Sequence, residues 1–257
     1  MLTTLRLIEE MALNALPALQ TLHYDGWELR FTAGANGYPR RANSIQSLYP
    51  SLLPLDEKIA YCEAQYSARG QKTVFKITLA APDGLDVALR KRGYKLNITT
   101  SVRTLDLTHF DAQPDTSGIE VVIEPTMSAE WAADNARLHG EDPTRSEVIN
   151  QILNGLAIQS AFVRLIQQGE TVALGRGALD QGWIAPYEII VNERYRQQGL
   201  GKKLMLTILN WGKSRGAKQA YLQVMTDNAP AVRLYTSLGF SEQYTYWYLQ
   251  TPPLVLP

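Results

Sequence analysis

The chain has almost no cysteine. Cys62 stands alone among 257 residues, so neither an intramolecular disulfide nor a cysteine-built zinc site is open to it. Histidine is nearly as scarce, and His23, His109 and His139 are too widely spaced to supply the local ligand pattern of a metal centre. No metal is expected. Neither sign of charge is in excess, with 25 Lys and Arg against 25 Asp and Glu. That removes the basic surface on which nucleic-acid capture depends and gives no steering toward a strongly charged partner. No apolar run approaches the roughly 18 residues that would span a bilayer. The stretch from Met1 to Leu22 carries Arg6, Glu9 and Glu10 among Leu5, Ile8, Met11, Ala12 and Leu16, the spacing of an amphipathic helix and not of a signal segment. A cytoplasmic protein with no nucleic-acid and no membrane partner is the expectation, and nothing in the composition speaks to oligomeric state.

What is present is enough apolar material for a core. The hydrophobic fraction is 45% and the charged fraction 19%, which excludes a disordered chain, and the length suits one or two domains. Asp111 to Gly118, DAQPDTSG, is a polar, Pro- and Gly-containing break between two strand-like runs, Thr100 to Leu107 and Ile119 to Ile123. It is taken as a linker, 111–118, between an N-terminal domain, 1–110, and a C-terminal domain, 119–257. The two halves also echo one another. Arg69-Gly70 lies over Arg215-Gly216, Lys72 over Lys218, Gly93 over Gly239 and Tyr49 over Tyr195, all at one offset of 146 residues. Each copy reads helix (Leu55–Ala68; Lys202–Ser214), Arg-Gly turn, strand (Thr73–Leu79; Gln219–Met225), turn, helix (Leu85–Lys91; Ala229–Ser237), Gly-aromatic turn and strand, an α/β pattern.

The chemistry-bearing segment is Tyr187-Glu-Ile-Ile-Val-Asn-Glu-Arg-Tyr-Arg-Gln-Gln-Gly-Leu-Gly-Lys-Lys-Leu-Met205. A strand end, a glycine-containing turn and a helix N-terminus follow one another, which is how backbones bind phosphate: unpaired N–H groups and the positive end of the helix dipole meet there. Gly199 and Gly201 let the backbone approach closely, and Arg196 and Lys202 add cationic donors. A third glycine, a ribose-binding acid and a Gly-Lys-Ser/Thr ending are all missing, so neither a dinucleotide fold nor a nucleoside-triphosphate loop is matched.

Arg196-Gln-Gln-Gly199-Leu-Gly201, preceded by Ile189-Ile190-Val191 and Tyr195, resembles the pyrophosphate motif of the GCN5-related N-acetyltransferases. Asn228-Ala-Pro-Ala-Val-Arg-Leu-Tyr235-Thr-Ser-Leu-Gly239-Phe240 is similar to the second part of that family's signature, and it too follows a strand, Tyr221 to Met225. The resemblance implies tandem acyl-CoA N-acyltransferase folds, each half an α/β unit with a mixed central sheet flanked by helices. It implies acetyl-CoA as co-substrate and no metal. Backbone amides of Gln197, Gln198, Gly199, Leu200, Gly201 and Lys202, with Arg196, would hold the pyrophosphate. Ile189, Ile190 and Val191 would pair with the pantetheine arm where the strand splays at a bulge, and a backbone N–H, for which Val191 is the candidate, would polarise the thioester carbonyl. Asn228 would contact the cofactor arm and Tyr235 would protonate the departing thiolate.

The base is a departure from the pattern. Ribosomal-protein alanine acetyltransferases, which this segment otherwise resembles, carry Glu five residues before the Asn, where this chain has Gln223, and an amide takes no proton. Glu188 acting through water is the candidate, with His139, Glu141, Asp142 or water alone as alternatives. In the first half, Pro50-Ser-Leu-Leu-Pro-Leu55 falls over Arg196 to Gly201 and Leu89 over Tyr235, so that half is expected to lack coenzyme binding. Its Trp27, Arg40, Arg41 and Asn43 are either a recognition surface or an ordinary turn and packed strand. The expected activity is acetyl transfer to a primary amine, on a small molecule or a peptide, by direct attack in a ternary complex. A non-catalytic acyl-CoA-binding module of the same fold is the alternative.

Overall fold

The computed structural model describes residues 2–32, 39–140 and 143–252. Two compact units are formed, one from the chain up to Ser101 together with the chain from Tyr244 on, the other from Val102 to Gln243.

In the first unit, helix α1 (Leu2–Ala15) buries Leu5, Ile8, Met11, Ala12 and Ala15, the three- and four-residue spacing expected of it, and ends earlier than the sequence suggests because β1 (Gln20–Tyr24) begins. The hairpin from β1 to β2 (Trp27–Phe31) turns at Asp25 and Gly26, both at positive φ (44° and 78°), which matches the twist of the flanking strands. Strand β3 (Ile45–Gln46) pairs antiparallel with β2, helix α2 (Leu55–Ser67) crosses over, and β4 (Val74–Ile77) returns parallel to β3. Helix α3 (Leu85–Lys91) and strand β5 (Lys95–Asp106) follow. Trp27, Phe31, Tyr66, Phe75, Leu85 and Leu89 form the core. The buried Glu9 carboxylate of α1 pairs with Lys76 and accepts from the Tyr244 hydroxyl at 2.8 Å, so its charge is compensated.

The second unit runs β6 (Glu120–Glu124), α4 (Ala129–His139), α5 (Pro143–Asn154), β7 (Gln159–Gln167), β8 (Glu170–Asp180), β9 (Trp183–Val191), α6 (Leu200–Ser214), β10 (Gln219–Met225) and α7 (Ala229–Ser237). Strand order is β6-β7-β8-β9-β10, with β5 beside β10. Strands β6 to β9 pair antiparallel and β9 with β10 parallel across the α6 crossover, so β7 to β10 repeat the antiparallel, antiparallel, parallel sequence of β1 to β4. The turn between β7 and β8, Gln168 and Gly169 at φ 52° and 79°, has the geometry of Asp25 and Gly26. One face of the sheet buries Leu204, Met205, Ile208 and Leu209 of α6, and the other packs Trp131 of α4 and Ile149 and Leu153 of α5 on Phe162 and Leu174.

The division between units falls elsewhere than at 111–118. It cuts through β5 after Ser101, and again through β11 (Ser241–Gln250) before Tyr244. From Trp247 to Gln250, β11 pairs antiparallel with β4, so the strand closing the second repeat in sequence joins the first unit's sheet. The polar run 111–118 lies inside the second unit, fastened to α6: Asn210 Nδ2 donates to Ala112 O at 2.9 Å and Gln113 Nε2 to Asn210 Oδ1 at 3.2 Å. Its composition marks a surface turn, where a polar, Pro- and Gly-containing stretch keeps its backbone groups in reach of water.

Candidate functional site

The site is built where β9 leaves its neighbours. On the β8 side, Arg176 pairs with Tyr187 and Leu174 with Ile190, so Glu188 and Ile189 together oppose Gly175 alone: a β-bulge. Glu188 takes φ 50°, and a Cβ on Gly175 would come 2.5 Å from Ile189 Cδ1, so the missing side chain there makes room for the end of the Ile189 side chain. On the β10 side, β9 pairs only at its start, Trp183 with Gln219 and Ile184 with Ala220. Beyond that the two parallel strands separate, and Ile189, Ile190 and Val191 line a groove.

The groove continues over the N-terminus of α6. Gln197 and Gly199 adopt left-handed φ (64° and 78°), which sets the turn before the helix. Lys203 N–H bonds Gly199 O at 3.0 Å, but the backbone N–H groups from Gln197 through Lys202 have no hydrogen-bond partner among the described residues. Six consecutive donors at the positive end of a 15-residue helix make an anion cradle, with Arg196 and Lys202 lining the same groove. A Cβ on Gly201 would stand 3.2 Å from Leu234 Cδ2, so this glycine lets α7 approach the cradle. Asn228 caps α7, its Oδ1 accepting from Ala231 N at 3.2 Å, and lines the groove with Pro230, Ala231, Leu234 and Tyr235. The whole cavity is about 700 Å³ and lies within the second unit. An acyl-CoA fits what is present: amides for a diphosphate and an unpaired strand flank for an amide-rich arm.

Tyr235 sits seven residues after Asn228 on α7, its ring edge-on to Phe240 at 6.3 Å between centroids. Burial pushes its phenol above the ordinary value of 10.0, so it is protonated throughout the neutral range.

Of the residues picked out from sequence, Ile189, Ile190, Val191, Arg196, Gln197, Gly199, Leu200, Gly201, Lys202, Asn228 and Tyr235 converge on this groove. Gln198 is in the unpaired run of amides without lining the cavity. Glu188 does not line it. Regular alternation would set Glu188 apart from Tyr187, but the bulge brings both side chains to Arg176: its Nε donates to Glu188 Oε2 at 3.0 Å and its guanidinium lies 4.9 Å from the Tyr187 ring. Arg176, which sequence reading passed over, is fully buried. Its only sequence signal is a charge set between Gly175 and Gly177 in the otherwise apolar run from Val172 to Leu179. His139 lines a different, polar groove of about 660 Å³ with Arg137, Glu170, Asn192 and Arg194, and its Nδ1 lies 3.1 Å from Asn135 O. Glu141 and Asp142 lie outside the described residues. In the first unit, Trp27 and Asn43 are buried, Asn43 Oδ1 accepting from Thr32 N at 3.2 Å, while Arg40 and Arg41 form a short 3-10 turn. Trp27 and Asn43 are therefore packing residues. Among the described residues no cluster of His, Cys, Asp or Glu could hold a metal, and no helix is long and apolar enough to cross a membrane.

Residues 3–249 match the family model described as "Probable histone acetyltransferase Rv0428c C-terminal". The chain is 28% identical over 238 residues to an uncharacterized N-acetyltransferase, YobR, of Bacillus subtilis, covering 92% of this chain and 94% of that one. A GCN5-related N-acetyltransferase from Kribbella flavida has the same fold, with a TM-score of 0.71 over 96% of this chain and 95% of that chain at 16% identity. A tandem protein of the same type from the clavulanic acid biosynthesis pathway superposes with a TM-score of 0.60 over 76% and 69% of the two chains, also at 16% identity.

Proposed function

The chain belongs to the family of the Rv0428c C-terminal region, within the GCN5-related N-acetyltransferases, and from that premise we propose that it transfers an acetyl group from acetyl-CoA to a primary amine by direct attack in a ternary complex. The observation that carries this reading is the run of unpaired amides from Gln197 to Lys202, continuous with the splayed flank of β9.

The amides and Arg196 hold the diphosphate, and Ile189 to Val191 align the pantetheine arm as an added strand. Acetyl-CoA supplies an activated acyl group on sulfur. The Val191 N–H donates to the carbonyl oxygen as it gains charge, the role of an oxyanion donor. Tyr235 gives its proton to the departing thiolate. A phenol buried enough to stay protonated is suited to this, because the sulfur it serves becomes basic only as the C–S bond breaks. Water takes a proton from the substrate ammonium and so frees the lone pair for attack; as the amide forms the nitrogen sheds a second proton, which restores the Tyr235 phenol. Gln223 has no basicity, and Glu188 is engaged by Arg176.

The test is release of free CoA from acetyl-CoA in the presence of a panel of small and peptidic primary amines, with Tyr235→Phe alongside. Turnover with at least one amine is expected. Tyr235→Phe should lower kcat by roughly a hundredfold or more, the usual worth of a positioned acid, with binding of acetyl-CoA unchanged. Tight acetyl-CoA binding with no turnover on any amine would replace this reading with that of a non-catalytic acyl-CoA-binding module.

A further inference from the structure

The bulge in β9 is made by a residue poorly suited to it. Glu188 adopts φ 50°, a region that glycine enters freely and L side chains rarely do. A conformation of that kind persists only where its surroundings over-determine it. Here the surroundings are visible. Gly175 vacates the space that Ile189 occupies. Arg176, fully buried and the residue after Gly175, reaches across to the Glu188 carboxylate at 3.0 Å with the Tyr187 ring beside its guanidinium. The carboxylate is itself mostly buried, with 15% of its side-chain surface exposed. A charge-assisted hydrogen bond between two sequestered groups is directional and short in reach, so it fixes the backbone that bears it.

We propose that Arg176 and Glu188 are a positioning pair that locks the β9 bulge and thereby aims the Ile189 to Val191 backbone into the acyl-CoA groove. The inference rests on the reading of that groove given above. Glu188 then owes its place to the tether and not to proton transfer, which explains why a conformationally costly Glu stands where Gly would be easier. The bulge also decides which residues meet the ligand. Past it, Ile190 packs toward Trp131 and Leu174, while Ile189 and Val191 pack with the α6 face, so each strand residue after Glu188 depends on the two-against-one count.

Four variants test this: Glu188→Gln, which keeps the shape and removes the charge; Glu188→Gly, which suits the left-handed backbone and removes the tether; and Arg176→Lys, alone and combined with Glu188→Gln. Each is compared with wild type well below its melting temperature. Misplacement of reacting groups by about an ångström costs roughly a hundredfold, so kcat/KM for acetyl-CoA should fall between tenfold and a hundredfold in Glu188→Gln and Glu188→Gly. The double variant should be no worse than the weaker single, as expected for one coupled pair. The acidic limb of the kcat/KM profile should stay where it is in wild type. Amide hydrogen exchange at Ile190, which pairs with Leu174 just past the bulge, should quicken in the unliganded Glu188→Gly protein, a readout that needs no activity. Loss of the acidic limb in Glu188→Gln would make Glu188 the base and overturn the proposal. So would a lowered Tm with unchanged kcat/KM and unchanged exchange, the signature of a merely structural pair. Wild-type protein that neither binds CoA nor turns over would instead defeat the groove reading, while the exchange measurement still decides whether the pair holds the bulge.

Discussion

The two units answer the same geometric problem, a strand that turns into a crossover helix, with opposite chemistry. Before α6, the loop keeps its amides open: Gly199 at φ 78°, six unpaired N–H groups, and cationic side chains at the rim. Before α2, Pro50 and Pro54 supply no N–H at all. The Leu52 and Leu53 amides are taken by Asp25: Leu52 N bonds Asp25 Oδ1 and Oδ2 at 3.0 Å each, and Leu53 N bonds Oδ2 at 2.9 Å. The buried Lys58 ammonium stands 3.2 Å from the same carboxylate and 4.0 Å from the Trp27 ring centroid. An internal carboxylate and a lysine thus sit where a bound phosphate and its counter-charge would be wanted. Gly26 makes this possible: a Cβ there would come 2.3 Å from Pro50 O, so only a glycine turn brings Asp25 against the loop. The corresponding turn of the second unit has the same backbone but carries Gln168 in place of Asp25, and a Cβ on Gly169 would meet nothing within 4 Å. A helix N-terminus is therefore an anion site by default. It is silenced by supplying an anion from within.

The largest effect comes from exchanging the loops. Replacing Arg196 to Leu200 with Pro-Ser-Leu-Leu-Pro removes the Leu200 donor, worth about 1.5–3 kcal/mol toward a charged ligand, and sets Leu at the left-handed position of Gly199, at about 1–2 kcal/mol. Affinity for CoA should fall by roughly a hundredfold or more, read by calorimetry, with the second unit still folded because the exchange takes only Leu200 from the core and leaves Leu204, Met205, Ile208 and Leu209 of α6 in place. Retained affinity would show that the diphosphate is held elsewhere.

What the sequence discloses divides along the same line. Helices α3 and α7 and strand β10 are legible to the residue, because turn residues and apolar spacing punctuate them locally. The groove is legible for the same reason: Arg196 to Lys202 and Asn228 to Tyr235 are short local motifs. The bulge is not, since nothing in Tyr187-Glu188-Ile189 announces a left-handed Glu. Its cause lies across the sheet at Gly175 and Arg176. Nor is the pairing of β11 with β4, because strand partnership is a long-range choice between edges that local residues do not encode. Asp25-Gly26 reads as a hairpin turn from sequence, yet its second function depends on amides 27 and 28 residues away.

A smaller effect follows in the first unit. Hydrogen bonds from the Leu53 and Leu52 amides hold the Asp25 carboxyl below the usual carboxylate range, with Lys58 adding to them. A depressed folded-state pKa stabilises above the unfolded value, near 4, and that contribution is lost as pH falls through and below it. Asp25→Ala should lower Tm by several degrees at pH 7 and by less as the pH is taken below 4, measured by calorimetry. It should not create CoA binding in the first unit, since the two prolines remain. Gain of a second CoA site in this variant would show that Asp25 alone closes the loop.

The smallest expected effect concerns Cys62, which lies on α2 just beyond the closed loop. Burial pushes its thiol up to about 12, so almost none is thiolate at pH 8, and the thiolate is the nucleophile. Iodoacetamide should leave the folded chain unlabelled over hours and label it fully in denaturant. Cys62→Ala trims one buried atom from the core around Tyr66 and Phe75, a change of about 1 kcal/mol, and acetyl transfer should proceed at the wild-type rate. If it did not, or if an acetyl group were found on Cys62, an acyl-cysteine route through the first unit would replace direct attack in the second, and the contrast between an open and a closed anion loop would no longer explain which half of the chain works.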